Sequence, residues 1–216
     1  FFYNNMFQFY QFKTSKFDKL DHILKSSTNI ITISINNINK YNYFDYQKNH
    51  IIRNIKFNST IIIYINSYGG FFWETIKFIK FLINLRISHK IKIITVAQKN
   101  CASAATIIHS IGDIKIICRN TTYMIHNTRY LNLRTNKIKI YTNYKKYYKS
   151  NSFKKMIFIY FESSNITERE LKNKLKNDYI FNQKEIIDTG FCDIIFNDID
   201  VFYNYFIKYK NKLSYQ

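Results

Sequence analysis

The chain has 216 residues, 46% of them hydrophobic and 19% aromatic, enough for one domain with a sizeable core. Its formal net charge of +19 would suit a nucleic-acid or anionic-membrane partner. The lysines are scattered, however, with no basic stripe or aromatic-basic motif, so neither partner is expected. Pro is absent, Gly occurs four times, and Asn, Ile, Lys, Tyr and Phe dominate. Those residues have A/T-rich codons, which implies an A/T-rich genome. Three cysteines, Cys101, Cys118 and Cys192, lack metal-ligand spacing and predict neither a disulfide framework nor a metal site. No apolar run reaches the length of a membrane span. Phe1 to Phe12 lacks a basic region followed by an apolar core, so it reads as neither a signal nor a transit peptide.

In chain order, residues 1–28 show no clear period beyond one helical turn near Phe17–Leu24. Ile30–Ile35 is β-branched and predicts a strand, and Tyr43–Ile55 a helix. Ile61–Ile65 is a continuous apolar run, as in a strand buried on both faces. It ends in the turn cluster Asn66-Ser67-Tyr68-Gly69-Gly70. Phe72, Ile76, Ile79, Leu82 and Leu85 then recur near the helical period. Ile91–Val96 is the next strand, Ser103–Ile111 a helix, and Ile114–Ile117 and Tyr123–Ile125 short strands. Lys137–Glu162 reads as one long aromatic helix. Thr167 and Glu170 form a capping-box pair opening a helix to Leu175. A last helix, Gln183–Thr189, stops at Gly190, and Phe191–Phe196 suggests a closing strand. The tail after Asp200 carries no motif. The alternation of strands and helices predicts an α/β fold with parallel pairing.

The chemistry concentrates between Cys101 and His126. Ala occurs only at Ala97, Ala102, Ala104 and Ala105, so the smallest side chains gather around Ser103. Small neighbours leave a short nucleophile open to a substrate. A serine nucleophile needs a base, a group to orient that base, and donors for the oxyanion. Ser103 opens a predicted helix, where it serves equally well as an N-cap. Gly69-Gly70 lets backbone N–H groups approach a ligand, or simply makes a tight turn. His126 ends a short strand, as a base or as a hydrogen-bonded structural histidine.

Together these segments resemble the Clp protease proteolytic subunit (ClpP) and ClpP-like serine peptidases. The resemblance rests on Ile65-Asn66-Ser67-Tyr68-Gly69-Gly70, on Cys101-Ala102-Ser103-Ala104-Ala105 running to Gly112, on Met124-Ile125-His126, and on Asp178-Tyr179-Ile180 leading to Gly190-Phe191-Cys192-Asp193. It spans about residues 30–196 in the family's order. It implies the ClpP/crotonase-like α/β superhelix of β-β-α units, with Lys137–Glu162 as the protruding handle helix. The domain would run over 29–200, between an N-terminal segment (1–28) and a C-terminal tail (201–216).

Carried over by position, Ser103 is the nucleophile, His126 the base and Asp178 the residue that orients it. The backbone N–H groups of Gly70 and Ala104 are the oxyanion donors. Asp188 and Asp193 fall near the end of the last helix and are not assigned. The resemblance further implies a homo- or hetero-oligomer of heptameric rings stacked as a tetradecamer. An Hsp100-type ATPase chaperone would feed it unfolded protein. No cofactor is implied, since the ATP belongs to the chaperone. With the codon bias, the expected location is the plastid stroma or another reduced organelle, or else a bacterial or endosymbiont cytoplasm.

Three departures from the family's pattern stand out. Tyr68 replaces a proline, Gln98-Lys99-Asn100 lengthens the approach to Ser103, and Thr128 and Arg129 follow His126. Two competing readings are an inactive ClpP-like subunit with a structural role in the ring and a crotonase-fold acyl-CoA enzyme.

Overall fold

The computed structural model describes residues 14–39, 41–132, 137–139 and 149–213. Seven strands form one sheet in the order β1 (Ile30–Ile35), β2 (Thr60–Ser67), β3 (Lys92–Ala102), β4 (Ile114–Cys118) and β9 (Ile194–Phe196), with two strands branching off this path. β5 (Thr122–Ile125) pairs with β3, and β8 (Tyr179–Phe181) pairs with β5. Every pairing is parallel except β5 with β8.

The central strands are buried on both faces, as continuous Ile runs require. Ile61, Ile63, Ile65, Ile93 and Ala97 face one core, while Ile62, Ile94 and Val96 face the other. α2 (Asp45–Asn54), α3 (Phe72–His89), α4 (Ala104–Ser110) and α5 (Asn151–Ser163) contribute to the first core. The second core is closed by α1 (Thr14–Ser26) and α8 (Ile199–Leu213) through Leu20, Leu24, Phe202 and Phe206. α1 is a thirteen-residue helix where one turn is expected, and α8 occupies the tail in which no motif is read.

The long helix expected over Lys137–Glu162 is a second difference. Lys137–Lys139 is a strand, β7, antiparallel to β6 (Tyr130–Asn132). The helix begins only at Asn151, where Ser150 accepts a hydrogen bond from Phe153 N at 3.2 Å and caps α5. Positions 140–148 lie outside the described residues. The capping box at Thr167 and Glu170 opens α6 (Glu168–Lys174) as expected. α7 (Gln183–Asp188) ends at Gly190, whose φ is +74°.

β3 changes partner along its length. Ile94–Ala97 pairs with β4, and Asn100–Ala102 pairs with β5. Between these halves the register with β2 jumps, from Ile65↔Ala97 to Ser67↔Cys101. Four residue steps on β3 therefore face two on β2. The extra length at Gln98-Lys99-Asn100 is absorbed as a bulge inside the strand, with Lys99 at φ 56°. The bulge splits the sheet just before Ser103. Among the described residues no helix is long and apolar enough to cross a membrane.

Candidate active site

Ser103 sits between the end of β3 and the start of α4, with φ 56° and ψ −124°. L residues rarely adopt this region, and they keep it only where their surroundings hold them there. Three bonds do so. Ser103 N donates to Met124 O at 2.8 Å, and Ser103 O accepts from Thr106 N at 3.1 Å and Thr106 Oγ1 at 2.6 Å. The Ser103 side chain makes no capping hydrogen bond to α4. An N-cap serine has an extended backbone and an oxygen committed to the helix. Ser103 has neither, and its half-buried side chain is left for another purpose.

The glycine loop lies against this turn. A Cβ on Gly69 would meet Ala102 O at 2.6 Å, Ser103 Cβ at 2.7 Å and Ala104 N at 2.8 Å, so only glycine fits. Gly70, at φ +139°, lies against Ile38 in the same way. The loop is pinned from outside by Ile38 N to Gly69 O at 2.8 Å and Phe71 N to Ile38 O at 2.9 Å. Gly69 N–H is used internally, donating to Ser67 Oγ at 3.0 Å. Among the described residues no hydrogen bond engages the N–H of Gly70 or of Ala104. At Tyr68, the position of the expected proline, the backbone N–H donates to Asn37 Oδ1 at 2.8 Å. Proline lacks that donor, so a hydrogen bond here replaces a ring constraint.

Strand register brings three chain segments together. Ala102 pairs with Met124 across β3 and β5, and Ile125 with Tyr179 across β5 and β8. One step further along each ladder, the backbones of Ser103, His126 and Asp178 stand at neighbouring strand ends. Their side chains are not joined. Among the described residues no hydrogen bond links Ser103 to His126 or His126 to Asp178.

His126 Nδ1–H donates to Asn127 O at 2.5 Å, which fixes the tautomer with Nε2 free to accept a proton. The Asp178 carboxylate is hydrogen-bonded and ion-paired with Arg129. That guanidinium holds the Asp178 carboxyl below its ordinary range. Burial keeps His126 below the ordinary histidine value, with the Arg129 charge acting in the same direction. A neutral imidazole is the form a general base needs.

Two other groups are excluded as partners. His109, in the last turn of α4, is fully buried, donates to Ile116 O at 3.1 Å, and is pushed by burial down to about 4. Asp193 is committed to Lys115 N at 2.9 Å and Lys16 Nζ at 2.7 Å. The three cysteines are free and buried. Among the described residues no group of three or more His, Cys, Asp or Glu side chains is arranged to hold a metal. Thr106 escaped the sequence reading because a threonine in a helix's first turn carries no signal by itself. Arg129 was visible only as a departure from a pattern.

A mostly parallel α/β sheet with its small-residue turns gathered at strand ends belongs to the class that works at the carboxyl edge of the sheet. The Clp protease family profile matches residues 16–198, and the chain belongs to that family. A mutant of ClpP1 from Listeria monocytogenes shares the fold with a TM-score of 0.58 at 16% identity, over 85% of this chain and 98% of that one. No curated protein sequence matches the chain. Family membership makes the coarse class a ClpP-like peptidase, a class whose members form rings that work with Hsp100-type ATPases.

Proposed function

We propose that this chain is an active serine endopeptidase subunit of a Clp-type ring, cleaving unfolded protein threaded by an Hsp100-type ATPase. Ser103 is the nucleophile and His126 Nε2 takes its proton. Asp178 turns to His126 Nδ1 when it leaves Arg129, and it stabilises the imidazolium formed during attack. The N–H groups of Gly70 and Ala104 receive the oxyanion. The proposed setting is a plastid stroma or another organelle with an A/T-rich genome.

The observation that carries the reading is the state of Ser103. It is held at positive φ, its hydroxyl does not cap the helix it precedes, and the tightly packed Gly69 lies beside it. A structural serine gives no return for that conformation, whereas a nucleophile presented at a sharp turn does. The Arg129–Asp178 pair favours the second reading, an inactive ring subunit whose orienting carboxylate is held elsewhere.

The test is labelling of the assembled ring with a fluorophosphonate probe, alongside hydrolysis of a short fluorogenic peptide. Ser103→Ala is expected to abolish labelling and to lower kcat by roughly 10⁴–10⁶. Its melting temperature should stay near wild type, because the lost hydroxyl caps nothing. Wild-type rings that neither label nor cleave, with the ATPase present, would establish the inactive-subunit reading.

A further inference from the structure

We infer that Thr106, held in turn by Tyr160 of α5, is a positioning residue for Ser103. This inference rests on the peptidase reading above. The Thr106 hydroxyl lies 2.6 Å from Ser103 O and 2.7 Å from the Tyr160 hydroxyl. Thr106 is fully buried and Tyr160 is 1% exposed, so water does not compete for the bond between the two hydroxyls.

Proton counting fixes the direction of the chain. A carbonyl only accepts, so the single Thr106 proton goes to Ser103 O. The Tyr160 hydroxyl must then donate to Thr106 Oγ1. Each bond polarises the next in a dry environment. The Ser103 carbonyl thus receives a reinforced hydroxyl donor in addition to Thr106 N–H. Fixing that carbonyl fixes ψ of Ser103, and the Met124 carbonyl fixes its N–H. Together they set where the Ser103 side chain points.

Neither residue belongs to the proposed catalytic machinery. Tyr160 also ties the nucleophile turn to α5, the helix that carries the exposed Phe158 and Phe161. Movement of α5 therefore reaches Ser103 through two hydroxyls. A threonine that merely closed the first helical turn would need no phenol behind it.

The experiment uses the assembled full-length protein and follows fluorophosphonate labelling rate, peptide kcat and KM, and melting temperature. Thr106→Val keeps the shape and removes the donor. Labelling and kcat should fall by about tenfold, the equivalent of one hydrogen bond's worth of orientation, with KM unchanged. Thr106→Ser should restore both rates. Thr106→Val also removes the Thr106 hydroxyl from the buried Tyr160 hydroxyl and should melt lower.

The double variant Thr106→Val with Tyr160→Phe removes both hydroxyls of the buried pair. It should recover most of the melting temperature while labelling stays slow. Separate recovery of stability without recovery of rate is the signature of positioning. A double variant that labels at the wild-type rate would overturn the inference and leave the peptidase reading intact. A wild-type protein that does not label would overturn both.

Discussion

At the residue scale, the site turns on which group holds Asp178. Its carboxylate is paired with Arg129, and His126 Nδ1 is turned to its neighbour's carbonyl. Burial first, and Arg129 second, lower the His126 pKa, while Asp178 raises it. With His126 as the proposed base, which must be neutral to act, the acid limb of kcat/KM should lie below the ordinary histidine value of about 6.5. Arg129→Gln removes the charge that lowers His126 and releases the carboxylate that raises it. Both changes act with the same sign, so the acid limb should move to higher pH while the plateau activity rises. A pH profile of peptide hydrolysis for the two proteins measures this. An unmoved limb would mean that Arg129 does not act on His126. Ser103 between a strand and a helix, and His126 at a strand end, were legible in the local patterning, whereas Asp178 was placed by resemblance alone, since β8 was not read in the sequence. The Arg129–Asp178 pair was not, since an ion pair between residues 49 apart depends on how β5 and β8 meet.

At the element scale, local pattern read the central sheet well and the periphery poorly. The runs Ile61–Ile65 and Ile114–Ile117 became strands because β-branched residues packed on both faces leave few alternatives, and Ile30–Ile35 became one with alternate residues buried. α1 was visible only as a turn near Phe17–Leu24, because its apolar residues Phe17, Leu20, Ile23 and Leu24 are few and closely spaced. α8 was missed because Tyr and Phe crowd its sequence and blur the apolar stripe. In the handle region the expected helix is present over Asn151–Ser163, while Lys137-Ile138-Lys139, which alternates with the period of a strand, pairs with β6 instead.

The glycine loop gives a sharp test of how closely these elements are fitted. Gly69→Ala places a methyl group within 2.8 Å of Ala102 O, Ser103 Cβ and Ala104 N, at a φ of +92°. The backbone contacts there are fixed by β3 and α4. The cost should be about 1–3 kcal/mol from the backbone conformation alone, with steric strain added. Calorimetry should show a lower melting temperature, and fluorophosphonate labelling should fall with it. Wild-type values of both would show that the loop can give way.

Lys115 tests the other end of the sheet. It is 8% exposed, and its ammonium donates to Ser163 O and to Gly190 O at 2.5 Å, in the segments that end α5 and α7. Lys115→Met keeps the length and loses the donor, leaving carbonyls short of a partner. Destabilisation of about 1–3 kcal/mol is expected in chemical denaturation, with little change in labelling. Unchanged stability would show that those carbonyls find other donors.

At the scale of the whole molecule, charge and apolar surface oppose each other. A net charge of +19 makes copies of this chain repel at low salt. Against this stands an apolar patch on α3 and α5. Trp73, Phe158 and Phe161 are 49%, 65% and 37% exposed, and Lys155 lies 4.7 Å from the Trp73 ring. Large exposed aromatic side chains on adjoining helices mark surface that is covered in an assembly. Screening weakens the repulsion, and the apolar gain is retained in salt, so association should strengthen as salt rises. Light scattering over a salt series at micromolar protein should therefore show mass growing from 26.2 kDa toward a ring. Trp73→Glu, or Phe158→Glu, should hold the protein at lower mass with an unchanged melting temperature, because neither side chain lies in the core. A mass of 26.2 kDa at every salt concentration, with candidate partner subunits present as well as absent, would leave the patch unexplained and remove association from the account.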